Sequence, residues 1–179
     1  FMDPEQPAEL LAAGLSGVDP ATLTVLHPGA VGGMWLGGQG ASFFDGAAWT
    51  TFTVSDGLAS DLVQTIAVDG QQRTWLGTDD GLSIWNGDTF FNITAASGLP
   101  NADIRALAPA GDAMWIGSWG GGLYRFADNQ LEVFNVENTG LPADRIAALA
   151  VMPNGDLLLG TERGLARFAG GAVTPVAAI

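Results

Sequence analysis

The chain says nearly the same thing four times, and this repetition limits its fold more than any other property. A Gly-Leu pair stands at Gly14-Leu15, Gly57-Leu58, Gly98-Leu99 and Gly140-Leu141, at successive spacings of 43, 41 and 42 residues. A second glycine closes a Trp-Leu-Gly-like stretch at Gly37, Gly77, Gly117 and Gly160, and a third recurs at Gly40, Gly81, Gly122 and Gly164. Four residues past each of the third set comes an aromatic: Phe44, Trp85, Phe126 and Phe168. Three registers with one period of about forty residues define a repeat architecture before any other motif is read.

Within one period the residues divide into four strands. In the second repeat these are 63–68, 74–78, 82–85 and 89–94, rich in side chains that suit a pleated, half-buried surface. Asp69-Gly70-Gln71-Gln72, Asp79-Asp80-Gly81 and Asn86-Gly87-Asp88 separate them, all of them turn chemistry. Each unit is a four-stranded antiparallel meander that cannot bury both faces alone, so neighbours must stack on it as the blades of a β-propeller do. The expected class is therefore all-β, a β-propeller with blades over 17–56, 57–97, 98–139 and 140–179. An N-terminal arm over 1–16 precedes them, with a short run of helix formers over 8–13 that stops at Gly14. Four blades make a small ring by themselves, or contribute to a larger or composite one. The start at Phe1 instead of a methionine leads us to expect a processed, trimmed or excerpted chain, and a C-terminal strand over 173–179 with a free edge favours an excerpt or a subunit that needs a partner.

Charge and composition remove several functions. Asp and Glu number 19 against six Arg and no Lys, and the net charge of −13 sets up a field that repels phosphate backbones. Nucleic acid and anionic membrane surfaces are poor partners for it. No apolar run reaches membrane-spanning length, so no membrane insertion is expected, and no signal peptide is visible. The absence of cysteine rules out disulfides, thiolate metal sites and cysteine nucleophiles.

The segments Gly98-Leu99-Pro100, Gly140-Leu141-Pro142, Trp75-Leu76-Gly77-Thr78 and Gly164-Leu165-Ala166-Arg167-Phe168 resemble the two-component regulator propeller repeat, over everything after about Gly14. The resemblance implies a seven-bladed propeller in the periplasmic sensor region of a bacterial histidine kinase, facing carbohydrate-like ligands. An extracytoplasmic place, periplasmic or extracellular, follows from the same resemblance. The chain departs from the family pattern in carrying four repeats and no kinase, transmembrane or response-regulator segment.

Function has to be sought where the copies differ. Trp35, Trp75 and Trp115 share one slot, filled by Leu158 in the fourth repeat, and read as packing between blades; Trp49 aligns with Phe90, Leu131 and Val173. Trp119 breaks the rule, standing where the second repeat has Asp79 or Asp80. In an antiparallel blade the turn between its second and third strands emerges at the same end as the connection between blades. That end gathers Gln39, Asp79, Asp80, Trp119, Glu162 and Arg163 from the turns, with Asp61, Asn101, Asp103 and Asp144 from the connections. An indole among carboxylates and amides suits a neutral sugar, a cation or a peptide; the competing reading is a solvated acidic rim or a subunit contact. Asp79-Asp80 offers oxygens for Ca²⁺ at a rim, but without the graded spacing of an EF-hand loop, so no cofactor and no metal is expected.

Catalysis has less to draw on. His27 is the sole histidine, read as lying at the end of a first strand opposite Asp69, Ala110 and Met152 of the other copies. A lone histidine does not build the histidine-and-metal site of the propeller lyases that act on antibiotic rings, which leaves that reading remote. Asp69-Gly70 with Trp75 resembles the Asp-box, a structural turn. Two functions remain: a non-catalytic interaction or scaffold module that binds protein partners, or itself, through faces and edges; and, as the alternative, an extracytoplasmic module sensing a glycan or small solute.

Overall fold

The computed structural model describes residues 22–30 and 32–176, which form four four-stranded antiparallel sheets, each in plain sequence order. Blade 1 holds β1 (Val25–Pro28), β2 (Met34–Gly38), β3 (Gly40–Phe44) and β4 (Trp49–Phe52). Blade 2 holds β5 (Val63–Val68), β6 (Thr74–Thr78), β7 (Gly81–Trp85) and β8 (Phe90–Ile93). Blade 3 holds β9 (Ile104–Ala110), β10 (Ala113–Ser118), β11 (Leu123–Ala127) and β12 (Gln130–Phe134), and blade 4 β13 (Ile146–Val151), β14 (Leu157–Thr161), β15 (Gly164–Ala169) and β16 (Ala172–Pro175). The first two strands expected in the second repeat have the observed bounds; the third starts one residue earlier, at Gly81, and the fourth is shorter at each end. The expected arm over 1–16, its helix and the last residues of the C-terminal strand lie outside the described residues.

Blades stack through their inner strands: β1 packs on β5, β5 on β9 and β9 on β13. The glycine that closes each second strand makes this approach possible. A Cβ on Gly77 would lie 2.5 Å from Thr65 Cγ2 and 2.7 Å from Ile104 Cγ2, the latter from the next blade. Only a bare Cα accepts that neighbour. Trp35 and Trp75 are fully buried in the layers between blades, and Trp75 meets Phe126 of the next blade at 5.4 Å between ring centroids. Trp115 meets Phe168 in the same way at 5.3 Å.

The Gly-Leu register has a cause that the repeat alone does not reveal. Short helical turns at Val54–Asp56, Ala95–Ser97 and Val136–Thr139 precede each blade from the second onward, and Gly57, Gly98 and Gly140 end them in the left-handed region at φ of 107°, 102° and 70°. The following Leu58, Leu99 and Leu141 turn inward and are buried. The glycine thus stops the turn where a side chain would strain it, and the leucine anchors the stop.

One alignment from the sequence is corrected by strand pairing. His27 pairs with Trp35 as Ala67 pairs with Trp75 and Ala108 with Trp115, so it matches Ala67, Ala108 and Ala150 and not Asp69, Ala110 and Met152. The alignment to Asp69 took a step of 42 residues, whereas Trp35 and Trp75, and with them the strands that pair with them, are 40 apart.

Asp69 shows why the Asp-box likeness is structural. Its carboxylate accepts from Trp75 Nε1 at 2.8 Å and from Arg73 Nε at 2.7 Å, and its Oδ1 accepts from the amides of Gln71 and Arg73. Burial raises the Asp69 carboxyl, but the Trp75 bond, the Arg73 bonds and the Arg73 charge outweigh it and hold it below the ordinary value.

Candidate functional site

The first strands of blades 2, 3 and 4, at the end where each enters its blade, carry a residue that falls out of register with the second strand. The pairing skips between Val63 and Thr65 and between Ile146 and Ala148, and Ser118 faces Ile104 while Gly117 faces Ala106. The extra residues are Gln64, Arg105 and Ala147, each in a β-bulge. A bulge re-aims the side chain it adds. These three, with Thr24 of blade 1, line one cavity of about 550 Å³ together with Leu62 and Trp119. Neighbouring inner strands therefore present equivalent positions to a common mouth.

Trp119 reaches that mouth because the blade 3 turn is longer than the others. Thr78 Oγ1 donates to the Gly81 carbonyl and Thr161 Oγ1 to Gly164, three residues on, whereas Ser118 Oγ donates to Gly122, four residues on. The extra length is accommodated by three glycines, and a Cβ on Gly121 would collide with the Tyr124 hydroxyl. That hydroxyl bonds the Asn101 carbonyl and accepts from the Asn101 amide, fixing the connection into blade 3 against its own turn. The Trp119 amide donates to the Asp103 carbonyl at 2.8 Å.

The polar groups at the mouth form a chain across three blades. Asp103 Oδ1 accepts from Gln64 Nε2 at 2.7 Å, and both its oxygens are bound by Arg105, at 2.7 and 2.9 Å. Arg105 and Arg145 lie 5.5 and 5.7 Å from the centroid of the Trp119 ring, within cation–π range. Arg145 in turn pairs with Glu162 at 3.1 Å. Burial raises the Asp103 carboxyl, while the Arg105 and Gln64 hydrogen bonds and the Arg105 charge overcome it and hold it below the ordinary value.

The residues named from the sequence fall into distinct places. Trp119 lines the cavity, Asp103 binds the Gln64 and Arg105 side chains that line it, and Glu162 pairs with Arg145 beside the Trp119 ring. Asn101 serves its own loop, its Oδ1 accepting from the Asp103 amide. Asp79 accepts from Ser60 Oγ at 2.6 Å and is exposed, as is Asp80, whose amide donates to Thr78 Oγ1. Gln39 bridges to Leu62 of the next blade, and Arg163 Nη1 donates to the Pro142 carbonyl. Asp61 and Asp144 accept from the amides of Val54 and Val136 and so hold the helical turns before blades 2 and 4. Gln64 and Arg105 were missed by sequence reasoning; their signal is a position that reads Thr, Gln, Arg and Ala in turn beside a constant β-branched or leucine neighbour. His27 Nδ1 lies 2.6 Å from the Pro28 carbonyl. Among the described residues no group of three or more His, Cys, Asp or Glu side chains is arranged to hold a metal ion.

No family model and no curated protein sequence matches the chain. Solved structures do. The extracellular domain assigned to the hybrid two component system BT4673 of B. thetaiotaomicron matches 88% of the chain at 23% identity and a TM-score of 0.75, and that of BT3049 from the same organism matches 87% at 17% identity and 0.75. A catalytically inactive virginiamycin B lyase from Staphylococcus aureus, solved with quinupristin, matches 88% at 13% identity and a TM-score of 0.68. The chain spans 22% and 24% of the length of the two extracellular domains and 56% of the lyase. At these identities the likeness is one of fold, and with the four sheets observed it makes the chain an all-β protein of four propeller blades.

Proposed function

We propose that the chain is a non-catalytic β-propeller module that binds a small hydroxyl-rich solute, of the sugar kind, at the mouth formed by its inner strands. The observation that carries this is the convergence of Thr24, Gln64, Arg105 and Ala147 with Trp119 on one cavity of about 550 Å³. That volume falls in the range of small-molecule sites. An indole supplies a ring face, Gln64 an amide, and Arg105 a guanidinium already oriented by Asp103, which together suit hydroxyl groups on a saturated ring. A role in extracytoplasmic sensing is supported by the likeness to extracellular domains of two component systems. The non-catalytic reading rests on the site chemistry: Asp103, the carboxylate bound to its lining residues, is committed to Arg105 and Gln64, and no nucleophile with an adjacent base is formed by the residues that line the cavity.

Calorimetric titration of a panel of neutral and acidic mono- and oligosaccharides tests this. Trp119→Ala and Arg105→Ala should each weaken binding about tenfold or more, equivalent to about 1.4 kcal/mol. Affinities unchanged in both variants would remove the mouth as the site.

A further inference from the structure

At the joint between blades 2 and 3 the indole N–H of Trp75 is taken by the Asp69 carboxylate. Blade 1 does not repeat this. Strand pairing puts Trp35 in the place of Trp75 and Gly29 in that of Asp69, and the two hairpins close alike, the Gly29 amide donating to the Gly33 carbonyl as the Asp69 amide does to that of Arg73. A Cβ on Gly29 would come within 2.8 Å of Phe43 Cε2, so the backbone there lies too close to that ring to carry an aspartate.

Trp35 is 2% exposed, and its N–H makes no hydrogen bond among the described residues. The one side-chain polar atom among them that is sealed from solvent without a partner is Asn92 Oδ1, so the Trp35 N–H opens on free space. That space is a cavity of about 640 Å³ at the joint between blades 1 and 2, within the range of small-molecule sites. Trp35, Phe43, Phe52 and Trp85 wall it, with Phe43 and Phe52 at 4.9 and 5.7 Å from the Trp35 centroid and Phe52 at 4.9 Å from that of Trp85. The side-chain amides of Gln71, Gln72 and Asn86 stand among its polar residues. The cavity at the joint between blades 2 and 3 has Phe126 as its single lining ring, and that between blades 3 and 4 holds about 290 Å³.

We propose that the cleft between blades 1 and 2 binds a small, flat, uncharged ring compound bearing an amide or lactam group, whose carbonyl oxygen takes the Trp35 N–H as Asp69 takes that of Trp75. A donor held among rings gains more from an acceptor than one in bulk water does. A flat ring can pack against the four aromatics tilted, as they pack on one another. Gln71, Gln72 and Asn86 each offer a donor and an acceptor, which matches the two halves of an amide. Charge selects against an ion. Arg73, which also lines the cleft, has its charge balanced by Asp69 at 2.7 Å, Asp88 adds a carboxylate, and the whole chain carries −13, so an anion is disfavoured. An ammonium group brings no acceptor for the indole. The Gln71–Arg73 turn lies at the other end of β5 from Gln64, so this site is separate from the solute mouth and does not depend on it.

Benzamide, benzoate and benzylamine share one ring and differ in charge. Each is titrated to about 20 mM, a range set by what so few atoms can contribute, into the isotope-labelled chain, and the indole N–H signals of its six tryptophans are followed by NMR. Benzamide should shift the Trp35 signal and leave those of Trp75 and Trp119 in place, while the two ions should give less than about a tenth of that shift. Trp35→Phe keeps a ring and removes the N–H, and should weaken benzamide binding, read at the Trp85 signal, about fivefold. Should that variant not fold, the Trp35 signal is assigned through its contacts with the Phe43 and Phe52 rings and the wild-type titration decides alone. An unmoved Trp35 signal, equal shifts from either ion, a shift confined to Trp119, or full affinity in Trp35→Phe would overturn the proposal.

Discussion

Asp69 and Asp103 are carboxylates with a shared pairing at opposite ends of the inner strands, Asp69 just past β5, where it also accepts two backbone amides, and Asp103 just before β9. Each is bound by an arginine and by one further side-chain donor, and each is held below the ordinary carboxylate value by those partners against the pull of burial. They differ in what surrounds them. The Asp69 side chain is 5% exposed and its partners belong to one blade; that of Asp103 is 26% exposed and ties blade 2 to blade 3 beside a cavity. The same chemistry therefore stabilises the fold where it is closed over, and orients a guanidinium for other work where solvent reaches it.

The comparison breaks first at Asp69. Asp69→Ala leaves the indole N–H of a fully buried tryptophan without its acceptor and should lower stability by about 2–4 kcal/mol, read as a shift in the urea midpoint. Solute affinity at the mouth should stay as it was. A loss below about 1 kcal/mol would show that Trp75 finds another partner and that the two carboxylates are less different than their burial says.

Acid sharpens the contrast. A carboxyl held below its ordinary value of 3.8 in the folded chain contributes stability that is complete above that value and is lost as pH falls through the folded value. The urea midpoint of the wild-type chain should drop on going below pH of about 4, and that of Asp69→Asn should drop less, since the variant has lost this contribution at every pH. Equal drops would place the acid sensitivity elsewhere.

The smallest stability effect belongs to Asp103. Asp103→Ala frees Arg105 and Gln64 to turn to water and should cost less than about 1 kcal/mol. Its effect on solute binding should nonetheless approach that of Arg105→Ala, because the guanidinium loses its orientation. A stability loss as large as that of Asp69→Ala would make Asp103 a joint between blades first and a site residue second.

How well the sequence foretold each part follows from the physics of its signal. Turn glycines can be read directly, because Gly57, Gly81 and Gly98 have φ of 107°, 123° and 102°, conformations that few other residues adopt. Period, blade count and strand bounds followed from them. Trp119 could be singled out for the opposite reason, as the copy that breaks the rule. Gln64 and Arg105 were not, since their variable slot marks a position without its direction, and only the hydrogen-bond register shows which way a bulged residue points. Asp79 and Asp80 were conspicuous as a pair, yet adjacency in sequence does not bring two side chains to one cavity. His27 was misplaced by two positions because it was aligned at a step of 42 residues, to Asp69, whereas the first two strands of blades 1 and 2 recur at a step of 40, as Trp35 and Trp75 show.

The bare second-strand glycines have one further consequence, for how such a molecule changes over generations. Every joint uses the same seat and the same incoming residue type, so duplicating or deleting one whole blade leaves the remaining joints with partners they already fit. Blade number can then change by copying alone, with no new interface to be found, while the residues at the mouth diverge one blade at a time.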